Sequence, residues 1–492
     1  MIALGKWLPD QPRTLAIPHV RDAKNVIPLL NGYGPARDFS LLSTALADRP
    51  YGAAAFRDTD GNVHVYAGRA TKLMEMAGDA TWADRTRSMG GDYATATTGR
   101  WKFTPFNDAI IAVNFTDDVQ TKDMTTAGAF AALSGSPPKA AFAITFEDFV
   151  VLGRLNGVTN GYNAIQWSAA GDETGWTVGT DLSDLRTFPD GGFVQGLAAT
   201  DVLYVFQQRM IRRGVFVGPP NVIQFSRLDL ERGVLEPNSL CQLGRKIFFL
   251  SDNSFYVIKD AEPETISDEA VASWFFADCN QSFLHRMSAA VDPDTEVVSW
   301  AYASNNSPDG TPDSVINYHI NATNWSYERK TVEPLFNALT LGYTLEGLDA
   351  LTTDIDDFDI SFDDPLLQGG DLRFAGFNSA FRLGVFTGPT LEALIETSDI
   401  MPIRGWSGMA RVKAVTPNVG TSAATAAIGS RRRSSDATVY KTAAAMQASG
   451  RIPVSAEGRW FSTRFAIPAG TEWDVEDPIT EYEYEAVRRG NK

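Results

Sequence analysis

The stretch Ile247-Phe-Phe-Leu-Ser-Asp-Asn-Ser-Phe-Tyr-Val-Ile258 decides the fold class. Two runs of four apolar residues, rich in aromatic and β-branched types, flank the polar turn Ser251-Asp-Asn-Ser254. That is the pattern of an antiparallel hairpin buried on both faces. The theme recurs along the chain. Tyr51 to Phe56 and Val63 to Tyr66 flank Asp58-Thr-Asp-Gly-Asn62, and Trp101 to Phe103 and Ala109 to Phe115 flank Pro105-Phe-Asn-Asp108. Ala141 to Phe146 and Phe149 to Leu152 meet across Glu147-Asp148, and Val202 to Phe206 leads through Gln207-Gln-Arg209 to Ile211 and Val215 to Val217. Val297 to Ala301 is followed by Val315 to His319 across a polar loop. Six units in about 300 residues give about 50 residues each, near the spacing of four-stranded propeller blades. A sandwich domain holds about 100 residues and fits less well. The reading is all-β, with a β-propeller of about six blades over residues 46–345; the units share little sequence, so five or seven blades stay open.

The two ends differ from this middle. Pro9, Pro12, Pro18, Pro28 and Pro35 forbid a long helix in residues 1–45, which read as an extended arm. Residues 346–492 open on the acidic run Asp354-Ile-Asp-Asp-Phe-Asp-Ile-Ser-Phe-Asp-Asp364 and continue in alternating strands such as Ala410 to Val415. A small-residue tract, 420–450, holds Arg431-Arg-Arg433 and reads as a long loop. The expectation is a β-rich platform, barrel or sandwich, formed by the N-terminal arm and the C-terminal region. Helix is scarce; Ser267 to Phe276 is the clearest candidate, with Ser267 as its cap.

Composition narrows the function. Apolar residues make up 44% of the 492, which excludes global disorder. The formal net charge of −17 argues against a protein that grips nucleic acid by neutralising phosphates. It leaves room for one that nucleic acid passes without sticking. Apolar runs fall far short of the roughly 20 residues of a membrane helix. No basic region followed by an apolar stretch opens the chain, so synthesis in the cytoplasm is expected. Cys241 and Cys279 read as two reduced core cysteines. His19, His64, His285 and His319 are scattered, without the short pairs that zinc sites use. No nucleophile elbow, dinucleotide fingerprint or phosphate loop is present. Asp58-Thr-Asp-Gly61 begins like a calcium loop but lacks the later ligands, and reads as a hairpin turn. No catalytic, cofactor or metal residue is therefore assigned. The candidates are of another kind. Asp354, Asp356, Asp357 and Asp359 read as a negative surface bordering a passage, and Arg431, Arg432 and Arg433 as an arm reaching an acidic neighbouring subunit.

Ser168-Ala-Ala-Gly-Asp-Glu-Thr-Gly-Trp176 is similar to the structural turn of sialidase-like propellers, in which an Asp caps a hairpin and a Trp packs beneath. Three further patches carry a wider resemblance: Asn25-Val-Ile-Pro28 with Asn31-Gly-Tyr33, then Asn238 to Leu250 with Tyr256-Val-Ile258, then Gly458-Arg-Trp-Phe-Ser-Thr-Arg464 with Ile467-Pro-Ala-Gly470 and Trp473. Together they resemble the tail nozzle, or packaged-DNA stabilisation, proteins of short-tailed bacteriophages. The resemblance implies a homo-hexameric ring in the virion tail, below the portal and the head-to-tail adaptor ring. Tail fibre, spike or needle proteins would be neighbours, and double-stranded DNA would cross the ring without specific binding. It implies no catalysis and no cofactor. The alternative reading of the same strand-rich chain is a propeller glycoside hydrolase, or a carbohydrate- or receptor-binding protein.

Overall fold

The computed structural model describes residues 2–3, 5–13, 18–229, 231–259, 262–339, 372–401, 408–473 and 479–487. Each predicted hairpin forms within its own run of four antiparallel strands; five of these are separate four-stranded sheets, and the sixth is part of a ten-stranded one. In the deciding stretch, Lys246–Leu250 pairs with Phe255–Ile258 in the register Leu250↔Phe255, and the Ser251 amide donates to the Ser254 carbonyl at 2.9 Å. Phe248, Phe249, Tyr256 and Val257 are all buried, because one face of this sheet packs on each neighbouring blade. Continuous apolar runs rather than alternation are the consequence.

The sheets follow one another as blades 52–84, 102–132, 139–187, 194–229, 241–265 and 288–328. The first strands of successive blades pack side by side around an axis, so the chain is a β-propeller. Close approach shapes these contacts. A Cβ on Gly68 would fall 2.3 Å from the Trp101 ring, whose indole N–H donates to the Arg69 carbonyl at 2.9 Å.

The ring has seven blades where repeat spacing gives about six. The seventh combines Leu335–Leu339, Leu372–Phe377 and Arg382–Val385 with Ser40–Ala45, in the register Val385↔Ser40. An N-terminal strand thus supplies the outer edge of the last blade and closes the circle. Five of its six residues are exposed, so it carries no alternating pattern to announce it.

The platform adds to blade six. Its outer strand, Asn324–Glu328, touches Val20–Lys24 in parallel, which pairs antiparallel with Ala393–Thr397. Trp460–Ile467 and Thr425–Arg431 follow, making a ten-stranded sheet with two short strands at its end. A second sheet orders Ile2–Ala3, Ile479–Val487, Met409–Pro417 and Ile452–Gly458. The platform shares one apolar core with blades five and six: Trp7, Val26, Tyr33, Phe461 and Trp473 join Phe255, Trp300 and Trp325.

Two local expectations change. The tract 420–450 is not one loop, since Thr425–Arg431 is a strand whose Ala426 and Ile428 are buried. Its period of two is written mostly in alanine, which signals strand poorly. The helix is Ala272–Asp278, shorter than expected, and Ser267 does not cap it. The cap comes from the arm: the Asp10 carboxylate accepts from the Ser273 and Trp274 amides, both at 2.8 Å. A negative group at a helix N-terminus is favoured there by the unsatisfied N–H groups.

Candidate functional site

The seven innermost strands begin at one end of the ring, and charged residues gather just before them. Arg49 precedes Gly52–Arg57, Arg100 precedes Lys102–Phe106, Arg286 precedes Ser288–Asp292 and Glu333 precedes Leu335–Leu339. Glu333 receives three guanidinium groups. Arg286 reaches it through Nε at 2.9 Å and through a second nitrogen, Arg100 through Nη2 at 3.4 Å and Arg49 through Nη1 at 3.7 Å. One carboxylate among three arginines leaves this cluster with an excess of positive charge.

Beside this cluster lies a cavity of about 400 Å³ lined by residues of blades two to four and by the turns leading into blades five and six. Lys102, Arg100, Arg154, Glu236, Asn238 and His285 give it its polar character. Glu236 accepts from the Asn238 backbone amide at 3.2 Å and its side-chain amide at 2.9 Å, both on Oε1. Burial pushes the Glu236 carboxyl up to about 7, against the pull of Arg100 and Lys102. Burial, reinforced by Arg100, pushes the Lys102 ammonium down to about 8. Arg154 donates to Gln195 Oε1 at 3.2 Å, and its guanidinium lies 5.5 Å from the centre of the Phe115 ring. Its backbone is left-handed, with φ +53° inside the strand Phe149–Asn156, a conformation that costs a non-glycine residue about 1–3 kcal/mol.

A second charged cluster sits between blades one and two. His64 lies between Glu75 Oε1 at 3.0 Å and Asp58 Oδ2 at 3.2 Å, and Arg85 Nε donates to Glu75 Oε2 at 2.7 Å. His64 and Arg85 hold Glu75 at about 2, against the opposing effect of burial. Asp58 itself accepts from the Asn62 amide at 2.8 Å, so Asp58-Thr-Asp-Gly61 is the hairpin turn between Gly52–Arg57 and Val63–Gly68. Asp172 similarly accepts from Thr174 at 2.8 Å above the buried Trp176, the turn that the sequence likeness to sialidase-like propellers describes.

Of the residues singled out in sequence, the three arginines separate. Arg431 is buried and ion-paired with Asp399 within its own chain, and it donates to the Ser434 carbonyl. It ends a strand that pairs with Trp460–Ile467, so backbone pairing carries its side chain inward. Arg432 and Arg433 are exposed. Arg432 lines a groove of about 530 Å³ on the platform together with Arg411, Lys441, Asp436 and Glu457. Asp354, Asp356, Asp357 and Asp359 lie outside the described residues. The mouth cluster was not found in sequence. Its signal is a charged residue followed by Pro or Trp shortly before a blade's first strand: Arg49-Pro50, Arg100-Trp101, Glu236-Pro237 and Glu333-Pro334.

No family model and no curated protein matches the sequence. Among solved structures, the extracellular domain of a one-component system from B. thetaiotaomicron is similar at 10% identity and a TM-score of 0.41, over 85% of this chain and 47% of that one. BamB from Moraxella catarrhalis is similar at 12% identity and a TM-score of 0.36, over 73% and 92%. The Pan2 WD40 domain of Neurospora crassa is similar at 9% identity and a TM-score of 0.34, over 63% and 90%. This chain spans about half the length of the first of these. The class is defined by the sheet topology itself: a seven-bladed β-propeller carrying a platform built from both chain ends. No helix among the described residues is long and apolar enough to cross a membrane.

Proposed function

We propose that this chain is a structural virion protein, the subunit of a hexameric tail nozzle that prolongs the DNA channel below the portal and adaptor. One observation carries the reading. Two of the three patches resembling nozzle proteins, 25–33 and 458–473, are far apart in sequence yet share one core in the platform, through Val26, Tyr33, Phe461 and Trp473. The part that resembles the family is therefore a folded unit rather than scattered similarity. Blade six continues into it as one sheet, and the two share one apolar core, which joins platform to propeller within the subunit. Exposed Arg432 and Arg433 on the platform have carboxylates of an acidic neighbouring copy as natural partners. The protein performs no catalysis; it retains the genome and lets it pass.

The test is mass in solution, measured by native mass spectrometry from low to high salt, alone and with the adaptor ring. A species of six 53.6 kDa chains that dissociates as salt rises is expected. A strict monomer under every condition, with adaptor present, overturns the reading.

A further inference from the structure

We infer that the cavity at the ring mouth is a binding site for a small oxyanion, a phosphate or carboxylate carried on a low-molecular-weight ligand. This does not depend on the nozzle reading.

The charge balance comes first. Around the cavity and the adjoining cluster, five cationic side chains, Arg49, Arg100, Lys102, Arg154 and Arg286, face two carboxylates, Glu236 and Glu333. This concentration of positive charge sits in a chain whose net charge is −17. Glu333 is committed to three arginines, and Glu236 is directed by Asn238 through one oxygen only. Unmatched positive charge of this kind, away from bulk water, is costly unless an anion completes it.

Unfilled donors supply the second observation. The Arg100 side chain is 8% exposed, and its Nη1 has no hydrogen-bond partner; nor has Arg154 Nε. Among the described residues Lys102 Nζ has no carboxylate within ion-pair distance. Buried guanidinium N–H groups are normally paired, and a phosphate or carboxylate is the acceptor whose geometry suits them. Arg154 is also held in a left-handed backbone, at a cost, within this wall.

Shape is consistent with a small molecule. The volume of about 400 Å³ lies in the range of ligand pockets. Phe115 forms part of the wall, and Tyr162 and Phe193, each about 40% exposed, pack beside it, with Tyr162 5.5 Å from Phe115 and 5.3 Å from Phe193. They offer an apolar lip for the body of the ligand.

The experiment is calorimetric titration of the full chain at low ionic strength with inorganic phosphate, with glucuronate and with uncharged glucose. Saturable binding of phosphate or glucuronate, with none of glucose, is expected; whichever anion binds more tightly names the class. Because Arg100 also supports Glu333, the informative variants are Lys102→Met and Arg154→Met, each weakening the anion at least tenfold while the circular dichroism spectrum stays unchanged. The same titration with Arg432→Ala, on the distant platform, keeps wild-type affinity. Absence of saturable anion binding by the wild-type chain overturns the inference. So does binding that the two cavity variants leave unchanged, or glucose binding as tight as that of the anions.

Discussion

Arg431 separates a residue that folds the platform from the two beside it. Replacing it with methionine keeps the aliphatic stem but removes the one guanidinium that, among the described residues, is ion-paired with Asp399. The side chains of the pair are 7% and 1% exposed, so Asp399 would be left buried without its ion-pair partner, with only the longer-range pull of Arg13 and Arg21. Breaking a buried pair from one side costs about 3–5 kcal/mol. With a denaturant dependence of about 3 kcal/mol per molar, the urea midpoint of the platform falls by about 1–1.7 M. Circular dichroism at increasing urea reads the midpoint. The deficit should shrink in acid. Burial already raises the Asp399 carboxyl, and loss of Arg431 raises it further. An acid whose folded pKa lies above its unfolded value takes up protons on folding, so the variant regains stability as pH falls toward about 4. The double variant Arg431→Met with Asp399→Asn removes the stranded charge and recovers most of the loss. Arg432→Ala and Arg433→Ala, exposed, stay within about 0.5 kcal/mol of wild type. An unchanged midpoint in Arg431→Met at pH 7 would refute the assignment of this residue to the fold.

Phe255 packs 4.6 Å from Trp300 and 5.5 Å from Trp325 in the core shared by ring and platform, so Phe255→Ala should cost about 3–5 kcal/mol and lower the calorimetric melting temperature of both together. If only one of two transitions moved, the shared core would be wrong. The hydrogen bond to Glu75 raises the His64 imidazole above its ordinary value, so its stabilisation is complete below about pH 6.5 and lost as pH rises through the folded value. Melting temperature against pH should therefore decline over that window in wild type and less in His64→Gln. Asp10→Ala removes a helix cap worth about 1 kcal/mol, and hydrogen exchange should speed at the Ser273 and Trp274 amides. Deleting residues 1–45 strips the outer strand from blade seven and Val20–Lys24 from between two others; aggregation on expression is expected, and a soluble product with the wild-type melting temperature would contradict ring closure by the arm.

Six blades and the union of the chain ends were legible because their signals are local: buried hairpins with polar turns, and prolines that bar helix from the arm. The seventh blade was not, because its outer strand, Ser40–Ala45, lies over 300 residues from its partner and shows no alternation. Arg431 was misjudged for a related reason. Three adjacent arginines look alike in sequence, but the strand Thr425–Arg431 carries Arg431 inward as its last residue, while Arg432 lies in the bend beyond it and remains outside. The mouth cluster escaped notice because its members lie one per blade, tens of residues apart, and meet only when the ring closes.

The proposed assembly is a ring of these propellers and platforms around passing DNA. Electron cryomicroscopy of purified particles containing the chain tests it most directly. Six copies in a ring beneath the portal and adaptor are expected, platforms joined side by side, with Arg432 and Arg433 at the contact between copies. Particles carrying the chain only as isolated copies away from the DNA channel would contradict it.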